Sequence, residues 1–431
     1  MADNVPVNPD SYPFTRWNFV IIVLDVALFF AGITFIDPVV VLPVLLDKLG
    51  GSEVLIGLLG ALQRAGWLVP QLFATSLVLH RVRKKPFVIY PAIVSRFPII
   101  LLAIAFLLPG IASHFTWLIC ILVASFALFF FADGLVGVPW HDIIAKTIPP
   151  DLRGRFFGST QFIGGILAIG AGAVVRRVLG DPNIPFPRNY GLLFALAAIS
   201  VWISGFFIAL IKEPTGATLE ERHTFSRILR AIPSTLHRHV LLRRVIVAQN
   251  LIGIAGVAMP FYAVYAHTKL GLPEAVGGIF IWAAIGGSVG MSLVWAFLND
   301  RFGPLAVIRG VSLFAAAVPT AALTLPHIVG ILHVESSMAL IYAIVFFLNG
   351  ATWGGAWMGI TNYIFEIAPD NVRPLFLGLA TTLAAPTVLM PVIGGWLLNA
   401  IAYETLFMIA AVGAIAGVCY IILRLRRPSF D

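Results

Sequence analysis

Charge is scarce in this chain, and charge is what a water-soluble fold would need. Only 11% of its 431 residues are Asp, Glu, Lys or Arg, where a soluble domain carries about a quarter. Cysteine is nearly absent too. Cys120 and Cys419 both sit inside apolar runs, which excludes a disulfide framework and a thiolate metal site. No Gly-x-x-x-x-Gly-Lys-Ser/Thr loop occurs, so nucleotide hydrolysis by the P-loop route is excluded. No hydrolase or redox constellation is present either; no catalytic residue, metal or cofactor is expected, and the chain reads as something other than an enzyme. The polar, Pro-rich first sixteen residues precede an apolar run far longer than a signal h-region, so no cleavable signal peptide is expected.

What remains is hydrophobic: 59% of the residues. Runs of about 20 apolar residues match the hydrocarbon thickness of a bilayer, and lipid leaves only helices or a closed barrel as spanning structures. A barrel would alternate polar and apolar positions. These runs are continuous, so an all-α integral membrane protein is expected.

The apolar segments fall at 17–46, 53–79, 86–109, 115–145, 154–178, 190–211, 244–268, 274–298, 304–325, 337–367, 372–399 and 402–424. That predicts twelve transmembrane helices. A tail at 1–16 and another at 425–431 flank two six-helix halves, 17–212 and 244–424. Between them, 213–243 is a polar linker in which Phe225, Ile228, Leu229, Ile232 and Leu236 recur at helical spacing among arginines, the pattern of an amphipathic helix lying on a membrane face.

Lys and Arg divide unequally between the two sides: 21 on the side holding both termini, five opposite, with Arg64 and Arg96 inside helices. The positive-inside rule then predicts cytoplasmic termini in a plasma or inner membrane. It also explains the net charge of +8 without a nucleic-acid partner. Membrane lipid and a small-molecule substrate are the partners expected, with the chain a monomer.

The halves repeat one another. Asp142 through Gly158 aligns with Asn362 through Gly378 at a constant offset of 220, matching Pro149 with Pro369, Arg153 with Arg373, Phe156 with Phe376 and Gly158 with Gly378. Each copy follows the fourth helix of its half. A six-plus-six duplication is a signature of transporters that rock one half against the other. After the eighth helix comes Asp300-Arg301-Phe302-Gly303. Together these features resemble the major facilitator superfamily over essentially the whole chain, the last matching its Asp-Arg-x-Gly loop. The resemblance implies two pseudo-symmetric six-helix halves, alternating access, an Asp that caps a neighbouring helix, and an Arg that pairs across the loop. The equivalent loop between helices 2 and 3, Arg81-Val82-Arg83-Lys84-Lys85, keeps the charge and lacks the Asp. Subfamily markers are missing.

Ionisable groups inside spanning helices are costly and by default functional or paired. The first half holds Asp25, Asp37, Asp133, Arg64 and Arg96; the second holds almost none before Glu366. Proton coupling at Asp25, Asp37 and Asp133, oriented by Arg64 and Arg96, is the expected role. By rise along each helix, Asp25, Arg96 and Asp133 lie roughly 12 to 18 Å from one side, and Asp37 and Arg64 roughly 14 to 16 Å from the other. Permanent ion pairs that only set packing are the competing expectation. For a substrate pocket the sequence offers Gln161, Asn250, Asn349, Trp353, Trp357, Asn362 and Tyr363; Trp353 and Trp357 share a helix face. Asp142, Arg153, Arg155, Asp300, Arg301, Glu366 and Arg373 suit a gate of salt bridges at the helix ends. The function expected is a secondary transporter for a small organic solute, proton-coupled. A uniporter or exporter of lipophilic solutes with structural ion pairs is the alternative, and a non-transporting membrane receptor or chaperone is an alternative of another class.

Overall fold

The computed structural model describes residues 12, 14–78, 81–214, 235–368 and 373–426. The proposed amphipathic stretch of the linker lies largely outside them. Among the described residues the regular structure is helical, with no strand. Among the described residues eleven stretches are long and apolar enough to cross a membrane; the helix Glu53–Val78, at 26 residues, is long enough to do so and corresponds to the second of the predicted spans.

In chain order the helices are α1 (Thr15–Phe35), α2 (Val41–Lys48), α3 (Glu53–Val78), α4 (Pro86–Leu107), α5 (Phe115–Thr147), α6 (Pro150–Gly180) and α7 (Arg188–Leu210). They continue with α8 (Val240–Gly253), α9 (Phe261–Thr268), α10 (Val276–Phe302), α11 (Pro304–Leu332), α12 (Met338–Ile367), α13 (Arg373–Leu383), α14 (Met390–Leu398) and α15 (Tyr403–Arg424). Pro86, Pro150 and Pro304 open α4, α6 and α11, positions where the missing N–H costs nothing. Gly303 takes φ +78° just before Pro304, a conformation that glycine adopts without a steric penalty.

Three of the predicted spans are not single helices. The first breaks over 36–40, between α1 and α2, where Pro38 withdraws a backbone donor. The seventh passes through a 3₁₀ turn at Ile254–Ala258 and Pro260 before α9 resumes. The eleventh does the same at Ala385–Leu389, which contains Pro386. The first two breaks are related: α2 and α9 each have eight residues, and Val41–Lys48 plus the offset of 220 gives Phe261–Thr268. The duplication read in one loop therefore extends to the place where the first helix of each half is interrupted. It holds in the fourth helices as well, which end at Thr147 and Ile367.

The chain forms two compact units. One comprises Met1–Asp37 with Leu62–Arg222, the other Pro38–Ala61 with His223–Asp431. The hairpin of α2 and the start of α3 thus packs with the second unit, although the sequence assigns it to the first half.

In the first unit α1 packs on α6 and α7, and α4 packs on α5 and α7. Asn18 locks the start of α1 to the end of α7: its Nδ2 donates to Lys212 O and its Oδ1 accepts from Lys212 N, both at 2.9 Å. Phe156, from the repeated loop, is fully buried in a cluster with Ile22, Val88, Ile143, Ile144 and Ile148. In the second unit its repeat partner Phe376 is buried with Leu242, Ile308, Tyr363, Ile364 and Ala368. Those five residues are the same five positions displaced by 220, so the two cores are built to one pattern.

Glycine lets the helices inside each unit touch backbone to backbone. A Cβ on Gly134 of α5 would lie 1.9 Å from Gly66 O of α3, and one on Gly350 of α12 would lie 1.9 Å from Ala284 O of α10.

Candidate functional site

The sequence singled out Asp25, Arg96 and Asp133, and the first unit gathers them around α1, α4, α5 and α7. Asp25 on α1 and Arg96 on α4 are both buried. The group between them was not anticipated. Ser204 of α7 donates to Asp25 Oδ1 at 2.6 Å and accepts from Arg96 Nη2 at 3.3 Å. The guanidinium also donates to Val201 O at 2.7 Å, Ala92 O at 2.8 Å and Ser95 Oγ at 3.3 Å, and lies 5.9 Å from the centre of the Phe29 ring. Gly205 makes room for it, since a Cβ there would sit 3.0 Å from Arg96 Nε.

Asp133 on α5 is near enough to Arg96 and Asp25 for their charges to interact, and has the Trp67 indole within hydrogen-bonding reach; Trp140 is similarly placed beside Asp25. The close α3–α5 crossing at Gly66 and Gly134 brings Trp67 beside Asp133. Two carboxylates thus share one buried cation, and burying charge is tolerable only with this kind of partnering.

The second unit has a different interior at the same stations. Val245 stands 220 after Asp25, and Ala316 stands 220 after Arg96, and both are buried like their counterparts. Trp353 occupies the station of Asp133. The polar constellation therefore belongs to one half of the repeat.

Asp37 lies in the break between α1 and α2, and Arg64 in α3. Of the predicted pocket residues, Gln161 is exposed on α6. Trp353 and Trp357 are exposed on one face of α12, with Asn349 partly buried one turn earlier. Asn250 Nδ2 instead donates to Ile246 O at 2.9 Å and to Leu383 O at 3.0 Å, satisfying a carbonyl at the end of α13. Asn362 Nδ2 donates to Asn299 Oδ1 at 3.0 Å. Tyr363 is wholly buried, with its hydroxyl on Arg426 O at 2.8 Å. These three side chains hold helix ends and breaks.

The charged loops behave similarly. Arg153 donates to Ala145 O at 3.0 Å and Ile148 O at 3.2 Å, closing the carboxyl end of α5. Arg155, Asp300, Arg301 and Glu366 are exposed; Asp300 accepts from Asn299 Nδ2 at 3.4 Å. Arg373 opens α13. Asp142 pairs with Lys146 at 2.8 Å, and Lys146 reaches Glu213 at 3.5 Å. Glu213, just past α7, accepts from Lys84 N at 2.7 Å and Lys85 N at 2.8 Å. It supplies at the start of α4 the capping carboxylate that the loop between helices 2 and 3 lacks, and an anion there is favoured by the helix dipole. Burial lowers the Lys84 ammonium from the usual lysine range, with Asp142 and Glu213 opposing and Lys146 reinforcing the shift.

Sequence reasoning missed Ser204, Trp67, Trp140 and Glu213. Serine and tryptophan are common in spanning helices, so their types carried no signal. Glu213 was visible as the first acid after the sixth apolar run.

A third cluster lies in the second unit. Lys48, at the end of α2, forms an ion pair with Glu274, in the turn before α10. Nearby, burial raises the Asp47 carboxyl from the usual range, His267 opposes this and Glu53 adds to it.

No family model matches the sequence, and no curated protein matches it either. Solved structures do. A point mutant of the nucleoside transporter NupG superposes with a TM-score of 0.69 at 14% identity, covering 96% of this chain and 100% of that one. A bacterial homologue of the iron transporter ferroportin, in an inward-facing state, gives 0.66 at 13%, covering 94% and 98%. A D-xylose–proton symporter gives 0.65 at 15%, covering 96% and 98%. The chain has the major facilitator fold.

Proposed function

We propose that this chain is a secondary transporter moving a small organic solute by alternating access, with protons as the coupling ion and both termini in the cytoplasm. The observation that carries the reading is the sharing of one buried guanidinium, Arg96, by two carboxylates, Asp25 and Asp133, with Ser204 between. Two carboxylates and one arginine leave one negative charge, which a proton can neutralise. A carboxylate whose cationic partner moves away holds a proton more tightly. Helix movements that lengthen the path from Arg96 to either acid therefore bind a proton, and their reversal releases it.

The fold supports transport, since the similar structures are named as transporters of nucleosides and of D-xylose and as a homologue of an iron transporter. The exposed Trp353 and Trp357 on α12, at and beyond the station of Asp133, supply an aromatic face for the solute.

A second reading has its own observation. Arg96 also donates to Val201 O and Ala92 O, as a packing residue does; a uniporter or exporter would keep the cluster purely as structure.

The test starts with a thermal-shift screen of purified protein against nucleosides, sugars, peptides and carboxylates at two pH values. Any ligand found is then followed in proteoliposomes with an internal pH dye. Proton movement that accompanies solute and disappears in both Asp25→Asn and Asp133→Asn supports coupling. Solute flux insensitive to a proton ionophore and to both substitutions overturns it in favour of the second reading.

A further inference from the structure

We propose that the corner where α1 and α4 begin and α7 ends binds the headgroup of an anionic phospholipid, held by Lys85 and Lys212 beside Phe14 and Trp17. The site belongs to the first unit alone and does not depend on the transport reading.

Lys85 stands immediately before Pro86, the first residue of α4, and its Nζ donates to Ala209 O of α7 at 2.7 Å. Lys212 lies two residues past the end of α7, with its Nζ 5.0 Å from the ring centres of both Phe14 and Trp17. The Trp17 indole donates to Leu210 O at 3.0 Å, the carbonyl next to the one that Lys85 takes. Consecutive carbonyls of α7 therefore bring both ammonium groups to one corner, and Asn18 fixes it by bonding the backbone N–H and C=O of Lys212. Among the described residues neither lysine forms an ion pair. Glu213, whose charge reaches Lys85, is engaged by the amides of Lys84 and Lys85 and by Lys146. Arg16, Arg81 and Arg83, all exposed, add positive charge at the same end of the helices.

The charge calls for an anion, and the surroundings make it a lipid. Phe14 and Trp17 are 42% and 46% exposed beside an exposed Lys212. Basic heads among aromatic rings mark the polar edge of a bilayer, where each lysine or arginine attracts anionic headgroups. From this corner the surface turns apolar. Phe206, Ile203 and Ile199 are exposed along one face of α7, and Phe97 of α4 meets Trp202 edge-on at 5.2 Å. They lead to a crevice of about 520 Å³ between α4 and α7, whose walls include Ile100, Ala103, Ile104, Ala198 and Trp202. Trp202 is about 12 Å along the helix from Leu210, and the chains of one leaflet extend about 15 Å. A phosphate at Lys85 and Lys212 thus puts its acyl chain within reach of the crevice, which a free phosphate leaves unused.

Native mass spectrometry of the purified protein, titrated with long-chain phosphatidylglycerol, measures the affinity of the first lipid bound. Phosphatidylcholine of the same chain length is expected to bind about tenfold more weakly or worse. Lys85→Gln and Lys212→Gln are each expected to weaken phosphatidylglycerol about fivefold, equivalent to about 1 kcal/mol, and together about 25-fold. Lys85→Arg with Lys212→Arg keeps both charges and should stay near wild type, which separates lost charge from a lost contact to Ala209 O or a lost fold. Arg243→Gln with Arg309→Gln removes two exposed basic residues of the second unit and should change little. Inorganic phosphate at millimolar concentration should not displace the lipid. Equal affinity for phosphatidylcholine, a double glutamine variant that binds as wild type does, or an equal loss in the double arginine variant or in the Arg243 and Arg309 pair would each overturn the proposal. Displacement by inorganic phosphate would overturn it too, in favour of a free-phosphate site. The readout uses neither substrate nor a proton gradient, so it can fail while coupling at Asp25 and Asp133 stands, and the reverse.

Discussion

Ser204 gives its hydroxyl hydrogen to Asp25 across 2.6 Å, and the same oxygen accepts from Arg96. One small side chain on α7 thereby ties the acid of α1 to the base of α4. Ser204→Ala removes that bridge and is expected to lower stability by about 1–3 kcal/mol, the usual cost of leaving a buried polar partner unsatisfied. Thermal unfolding in detergent measures it. A Ser204→Ala melting point equal to wild type would mean that the bridge contributes nothing.

Arg96 is expected to be the costliest single change in the first unit. Arg96→Ala strands two acids beside a cavity, and breaking a buried ion pair by removing one partner typically costs about 3–5 kcal/mol. Combining it with Asp25→Asn and Asp133→Asn removes the stranded charges and should recover part of the loss. A triple variant less stable than Arg96→Ala alone would contradict the shared-cation geometry.

At the start of α4, Glu213→Ala is expected to cost about 1–2 kcal/mol, since it deprives the amides of Lys84 and Lys85 of their acceptor and the helix of its anionic cap. Glu213→Gln keeps one acceptor and should fall between. Hydrogen exchange at those two amides reports the effect locally, and unchanged protection would show that Glu213 does not cap the helix.

Glycine positions divide sharply. Gly134→Ala pushes a methyl against Gly66 O and should destabilise by about 1–3 kcal/mol or more. Gly158→Ala and Gly378→Ala meet nothing within 4 Å and are helical, so they should gain roughly 0.5–1 kcal/mol each. Parallel melts of the three variants compare them directly.

The helices were legible because continuous apolar runs have few alternatives, and the repeated loop was legible because four matches survive without a gap. Asp25, Arg96 and Asp133 stood out for the same reason: a charge in lipid needs a cause. What sequence did not give was partnership. Ser204 looks like any small polar residue in an apolar helix, and its importance exists only where α7 crosses α1 and α4. Asn250, Asn362 and Tyr363 stood out as pocket candidates because polar side chains in spanning helices invite that reading; their partners, backbone carbonyls for Asn250 and Tyr363 and the Asn299 side chain for Asn362, follow from the packing and not from the sequence. The hairpin at 38–61 was unreadable for another reason. Sequence order assigns a segment to its chain neighbours, whereas packing assigns it to whatever it touches.

The offset of 220 has one more consequence. Val245 and Ala316 stand where Asp25 and Arg96 stand, inside a core of the same design. The molecule thus carries its own control: one copy with the charges written in, and one in which the same scaffold folds without them. The helix packing of this design therefore does not itself require the buried charges.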